Sequence, residues 1–132
     1  VNCRILPGEA PEAVMATLSE VMDDPAIKIK LAGDKSPVST PPALTKAITG
    51  PAEAVAGQMW PGVPLVPAMS TGATDSRFLL AAGIPAYGLS GMFGESDGGG
   101  VHGLNERIRV RSLYEGREYL YRVVKLYANE TN

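Results

Sequence analysis

Apolar and polar residues alternate with two different periods along this chain, and the changes of period mark out its predicted elements. Residues 1–6, Val-Asn-Cys-Arg-Ile-Leu, read as a short strand that Pro7-Gly8 ends. Pro11 suits the first turn of a helix, and Val14, Met15, Leu18, Val21 and Met22 then recur on one face of a 3.6-residue period until Asp23-Asp24-Pro25 closes it. Ile27, Ile29 and Leu31 alternate with Lys28 and Lys30, the period of a strand with one wet face. These three elements predict a β-α-β unit, one half of a ferredoxin-like split fold.

The stretch from Gly33 to Pro42 is rich in Gly, Ser, Thr and Pro and reads as a linker. Beyond it, Leu44, Ala47, Ile48, Val55 and Met59 follow a helical period interrupted by Gly50-Pro51, which predicts two short helices. Val63 to Ala68 carries two prolines and fits an edge strand. A loop from Ser70 to Asp75 leads into a helix through Ala82, Gly83 stops it, and Ile84 to Leu89 is another short strand. Ser112 and Glu115 are spaced as a capping box, so Leu120, Val123, Val124 and Tyr127 predict a C-terminal helix over about 113–128. No internal repeat is visible.

Composition narrows the function. The 132 residues carry a net charge of −2, 45% are hydrophobic and 20% charged, which suits a soluble, core-forming chain. No Lys/Arg run supplies the attraction that nucleic-acid or anionic-membrane binders use, and Gly or Pro interrupts every apolar stretch well short of the roughly 20 residues of a spanning helix. Neither nucleic acid nor membrane is an expected partner. Cys3 is the single cysteine and His102 the single histidine, so no intrachain disulfide and no Cys/His zinc cluster can form. The strand-like start, without a signal-peptide pattern, points to further chain upstream and leaves the compartment open.

Candidate chemistry is sparse. His102 lies after a glycine-rich loop, free to offer a ring nitrogen to metal or substrate, although a lone histidine in such a place is more often an ordinary surface residue. The Thr71 to Asp75 loop offers amides at a helix start, which suits a carboxylate as well as a simple capped turn. Arg4 has the fork that pairs with carboxylates, against a default of solvation or an ion pair. Gly98-Gly99-Gly100 lacks the strand and helix context of a phosphate loop and reads as a flexible connection.

In combination and order these blocks say more. Val66 to Phe78, Ala82 to Gly88 and His102-Gly103-Leu104-Asn105-Glu106, preceded by Val1 to Gly8 and a helix from Pro11, resemble the C-terminal part of the dinuclear zinc exopeptidase and deacylase family. That family includes aminoacylase, acetylornithine deacetylase, succinyl-diaminopimelate desuccinylase, glutamate carboxypeptidase and carnosinase-type dipeptidases. The resemblance implies an α/β chain: residues 1–32 as the second half of a lid and dimerisation domain, 33–42 as linker, and 43–132 as the C-terminal part of a metal-binding α/β sandwich.

The implied activity is hydrolysis of a peptide or N-acyl amide bond next to a free carboxylate. His102 matches the family's last metal ligand, Arg4 the lid arginine that meets the substrate carboxylate, and Gly72 and Thr74 the loop that holds it, with Arg77 as a neighbour. Asn105 and Glu106 fall on an Asn-Glu pair given a supporting role, while Cys3 and the insert at 94–100 are not diagnostic. Two zinc ions, or other divalent ions, belong to the whole enzyme. The general base and the other ligands lie upstream in the family, so this segment alone is expected neither to retain zinc nor to turn over substrate. Expected partners are the peptide or N-acyl amino acid, the upstream part of the chain, and a second copy paired through the lid. The other reading is a non-catalytic binding or dimerisation module derived from the same family. Tyr87 to Phe93 looks more like the carboxypeptidase and aminoacylase branch than the desuccinylase branch.

Overall fold

The computed structural model describes residues 2–32, 40–70 and 72–129. Residues 33–39, most of the expected linker, and Thr71 of the expected carboxylate loop lie outside the described residues. The described residues form four α-helices, α1 (Pro11–Met22), α2 (Lys46–Met59), α3 (Ser76–Ala81) and α4 (Val110–Asn129), with one 3-10 turn among them at Gly98–Gly100. No strand occurs among the described residues, so the expected β-α-β half-lid and α/β sandwich are not what these residues form. The reason is that alternation such as Ile27, Ile29 and Leu31 specifies only which side chains share a face. A strand also needs a backbone ladder to a neighbour, and segments 2–6, 27–32, 63–69 and 84–89 find none among the described residues.

The chain divides into two compact units, Val1–Ala43 with Ala68–Tyr87, and Leu44–Pro67 with Gly88–Asn132. In the first unit, α1 runs as its periodicity predicts. Pro11 supplies the preset φ of the first turn, and Asp23 ends the helix in the left-handed conformation, its N–H donating to the Ser19 carbonyl at 3.2 Å. Val14, Met15 and Leu18 are half-buried, whereas Val21 stays 76% exposed. Helix α3 closes with a Schellman motif: Ile84 N–H reaches the Leu79 carbonyl and Gly83 N–H the Leu80 carbonyl, with Gly83 at φ 78°. The Tyr87 hydroxyl donates to the Ala43 carbonyl at 2.9 Å. No described side chain of this unit is fully buried.

The second unit owns the core. Ala52, Val55 and Ala56 of α2 pack on Tyr119 and Val123 of α4, with Met59, Trp60 and Leu120 against them. Contrary to the sequence expectation, α2 is one helix that runs through Pro51. The proline deprives the Ala47 carbonyl of its helical donor, yet the residues that immediately follow are the buried ones, and packing rather than propensity holds most protein helices together. Helix α4 also starts earlier than expected. Ser112 is therefore inside the helix and buried, not its cap, and Glu115 pairs with Arg111 at 2.7 Å instead of closing a box.

Small size matters where the chain crosses α4. A Cβ on Gly116 would lie 2.5 Å from Met92 Cγ and 3.1 Å from the Ser90 carbonyl oxygen. The segment 90–92 thus lies on the helix at the one position without a side chain. Gly116→Ala is expected to cost about 1–3 kcal/mol through overpacking, despite alanine's better helix propensity, and urea unfolding followed by Trp60 fluorescence measures it. Among the described residues no helix is long and apolar enough to cross a membrane.

Candidate functional site

His102 stands at the tip of a loop whose two arms mirror each other. Glu95 and Arg109 each lie seven residues from it, Asp97 and Arg107 five, and each mirrored couple is an ion pair. Arg109 donates from Nε to Glu95 Oε1 at 2.6 Å and from its terminal nitrogen to Oε2 at 2.8 Å, a two-pronged fork. Arg107 pairs with Asp97 through its other oxygen, Oδ2, while Asp97 Oδ1 accepts the Gly99 N–H at 3.0 Å. The Arg107 N–H donates to the Gly99 carbonyl at 2.8 Å. The glycine run is therefore a bonded, turned segment rather than the flexible connection expected of it. Gly99 is buried at φ 64°, and a Cβ there would lie 2.8 Å from the Arg107 carbonyl oxygen.

The tip itself is a type II β-turn. Val101 has φ −49° and ψ 131°, His102 has φ 63°, and Gly103 N–H returns to the Gly100 carbonyl at 2.8 Å. This places His102 at the turn position that glycine or asparagine ordinarily takes. A side chain there costs of order 1–3 kcal/mol. The imidazole is exposed.

The Glu95–Arg109 pair shifts the proton affinity of both its members. The hydrogen bond from Arg109 holds the Glu95 carboxyl below its ordinary value, against partial desolvation, with the charges of Arg109 and Arg107 adding to it. Arg109 is in turn raised by the same bond. A carboxylate lowered on folding contributes fully above its unfolded value, about pH 4.3, and that contribution is lost as pH falls through the lower folded value. The side-chain carboxyl carbon of Glu95 is accordingly expected to titrate below the ordinary glutamate value. A shift centred at the ordinary glutamate value in an NMR titration would contradict the pairing.

The other sequence-predicted residues fall in the first unit, which also contains Arg4, Gly72, Thr74 and Arg77, whereas His102 belongs to the second. Arg4 is exposed. The Gly72 N–H donates to Ser70 Oγ at 3.0 Å and the Ser76 N–H to Thr74 Oγ1 at 3.3 Å, so the loop is bonded within itself. The Arg77 guanidinium lies 4.6 Å from the centre of the Phe78 ring. In the second unit an apolar hollow of about 300 Å³ is lined by Trp60, Val63, Leu65, Leu89, Met92 and Phe93, among others, and includes none of the predicted site residues.

A family model of peptidases matches residues 5–126, nearly the whole chain and spanning the 66–78, 82–88 and 102–106 blocks. The chain belongs to peptidase family M20/M25/M40. No curated protein and no solved structure matches it. The family is one of zinc metallopeptidases, so the donor set of this chain can be tested against zinc. Zinc takes about four ligands from Cys, His, Asp or Glu, and among the described residues no three such side chains come together. On the loop arms Glu106 is the acid nearest to His102 in sequence, and the next two, Asp97 and Glu95, are committed to arginines. By themselves the described residues do not make a zinc site.

The four ion-paired residues of the loop arms, Glu95, Asp97, Arg107 and Arg109, carry no recognised motif. Their signal is present in the sequence, Glu-x-Asp before and Arg-x-Arg after, equidistant from the only histidine. It is a pairing pattern rather than a catalytic motif, and only the turn at 100–103 gives it meaning.

Proposed function

We propose that this chain is the C-terminal segment of a zinc-dependent exopeptidase or amidohydrolase that hydrolyses a peptide or N-acyl amide bond beside a free carboxylate. The observation that carries the reading is the family match over residues 5–126 together with the one histidine held exposed at the tip of a turn. In this reading residues 1–32 belong to the lid and dimerisation part, 33–42 to a linker, and 43–132 to the metal-binding part. His102 is one ligand of a zinc pair, and the general base and remaining ligands come from chain upstream. The shortage of buried side chains in the first unit supports a partner surface, since an apolar face such as that of α1 gains free energy only when covered.

Arg4, and the amides and hydroxyl of Gly72 and Thr74, with Arg77 beside them, receive the substrate's free carboxylate. Arg4 is suited to it because a guanidinium grips both oxygens in one plane, which fixes the acyl group's orientation as well as its affinity. The test uses the longer protein that contains these residues and a series of N-acyl amino acids and dipeptides. Arg4→Leu is expected to raise KM by about 10–100-fold, the loss of a charge-assisted pair of about 1.5–3 kcal/mol, with a smaller change in kcat. An unchanged KM, or equal turnover of substrates whose carboxylate is amidated, would remove the carboxylate assignment.

A second reading, a non-catalytic binding or dimerisation module, is favoured by the exposed face of α1, where Val21 and Met22 remain 76% and 43% accessible. Under it the longer protein associates but hydrolyses none of these substrates.

A further inference from the structure

We propose that Glu95, Asp97, Arg107 and Arg109 act together as a clasp that positions His102, making them positioning residues for the histidine rather than a general surface salt-bridge network. This deepens the reading above and rests on it for the use to which His102 is put. An isolated exposed ion pair contributes little, and if stability were the purpose, α4 already shows the ordinary pattern in its (i, i+4) pairs Arg111–Glu115 and Arg122–Glu118. The loop pairs differ in kind, joining residues 10 and 14 positions apart.

Alternate residues on each arm carry the charges, so the two rungs stand one beyond the other along the loop. Between them and the tip, Asp97 Oδ1 and the Arg107 N–H each seize Gly99 from one side. The last bond before the histidine is Gly103 N–H to the Gly100 carbonyl. Each link shortens the free segment that the next has to close, and loop closure is entropically easier for shorter spans. What remains at the end is a four-residue turn carrying a side chain in a conformation that glycine would adopt more easily. A strained residue persists where its surroundings over-determine it, and here the clasp does so.

The experiment uses the 132-residue chain, labelled with ¹³C and ¹⁵N. A type II turn gives a strong cross-relaxation peak between Val101 Hα and the His102 amide proton, because ψ of Val101 brings them close. Glu95→Gln and Arg109→Leu are each expected to weaken that peak and to speed amide exchange at Gly103 by about tenfold, as expected when local opening becomes easier, while Trp60 fluorescence and α4 exchange stay unchanged. The double exchange Glu95→Arg with Arg109→Glu is expected to restore both signals. If the single variants leave the peak and the Gly103 exchange as they were, or if the swap folds normally and restores neither, the clasp does not position His102. Should Glu95→Gln disturb the α2–α4 core itself, Asp97→Asn, on an exposed pair away from the core, is read by the same criteria. These signals involve no metal and no substrate, so a failed clasp leaves the ligand assignment standing, and a failed ligand assignment leaves the clasp standing.

Discussion

Tyr119→Ala lowers the unfolding free energy of the second unit by about 3–5 kcal/mol, the range for truncating a buried aromatic side chain. Tyr119 is 1% exposed and sits where everything in that unit converges. Its ring meets Trp60 at 5.2 Å, a Cβ on Gly91 would lie 2.4 Å from it, and its hydroxyl donates to the Ala52 carbonyl at 3.1 Å. Removing the ring therefore unlinks α4 from α2 and from segment 88–93 at once, a large share of the 5–15 kcal/mol or so by which a domain is stable. Tyr119→Phe separates packing from polarity. It keeps the ring and loses one buried hydrogen bond, about 0.5–1.5 kcal/mol.

Burial pushes the Tyr119 hydroxyl up, with Tyr127 adding to it. A group whose value rises on folding contributes below its unfolded value and loses that contribution as pH climbs through the folded one, so the unit is expected to weaken above about pH 10. Urea titrations at neutral and alkaline pH, read by Trp60 fluorescence, check all three statements. A Tyr119→Ala midpoint equal to that of the unmodified chain would dismiss the α2–α4 contact as the source of cohesion.

Under the proposed function, His102→Ala in the whole enzyme is expected to reduce kcat by at least about 100-fold and to lower the zinc content, since even the outer partners of metal ligands cost about 10–100-fold when removed. The informative companion is His102→Gly. Glycine is at ease at φ 63°, so this variant improves the turn by up to about 1–2 kcal/mol while deleting the imidazole. If His102 serves as a ligand, His102→Gly is as inactive as His102→Ala although its loop is better formed. If the histidine only occupies the turn, His102→Gly retains activity. Steady-state kinetics with elemental analysis of the purified variants distinguish the two.

Several elements of this chain are legible without coordinates, and the reason is local. Helix α1 spans the residues its periodicity names because Pro11 and Asp23 punctuate it within its own sequence. Helix α3 stops just before Gly83 because a left-handed residue is needed after its cap and glycine supplies it. The periodic run at 120, 123, 124 and 127 lies in α4. The expectations that failed all depended on something distant. The capping box at Ser112 was a true spacing with a different use, because the helix begins at Val110 and buries Ser112. Pro51 does not divide α2, because tertiary packing on Tyr119 and Val123 outweighs one lost hydrogen bond.

The candidate site divides along the same line. Family membership and the singling out of His102 follow from ordered sequence blocks. The backbone conformation of His102 does not, since nothing in Val-His-Gly requires a type II turn, nor do the partners of Glu95 and Asp97, which lie 14 and 10 residues away.

By itself, then, the sequence determined what each residue prefers: helix α1 with both its ends, the glycine stop after α3, the periodic face of α4, an absence of long apolar runs, one histidine in a glycine-rich context, and membership of a peptidase family. The tertiary structure alone decided what those preferences are used for. Among the described residues the alternating segments form no strands because none finds a ladder partner, a strand being a relation between two backbones. The histidine became a displayed side chain because two charge pairs and a chain of backbone bonds close the loop beneath it. Helical periodicity and capping act within a few residues, whereas pairing and packing act between residues that only the fold brings together.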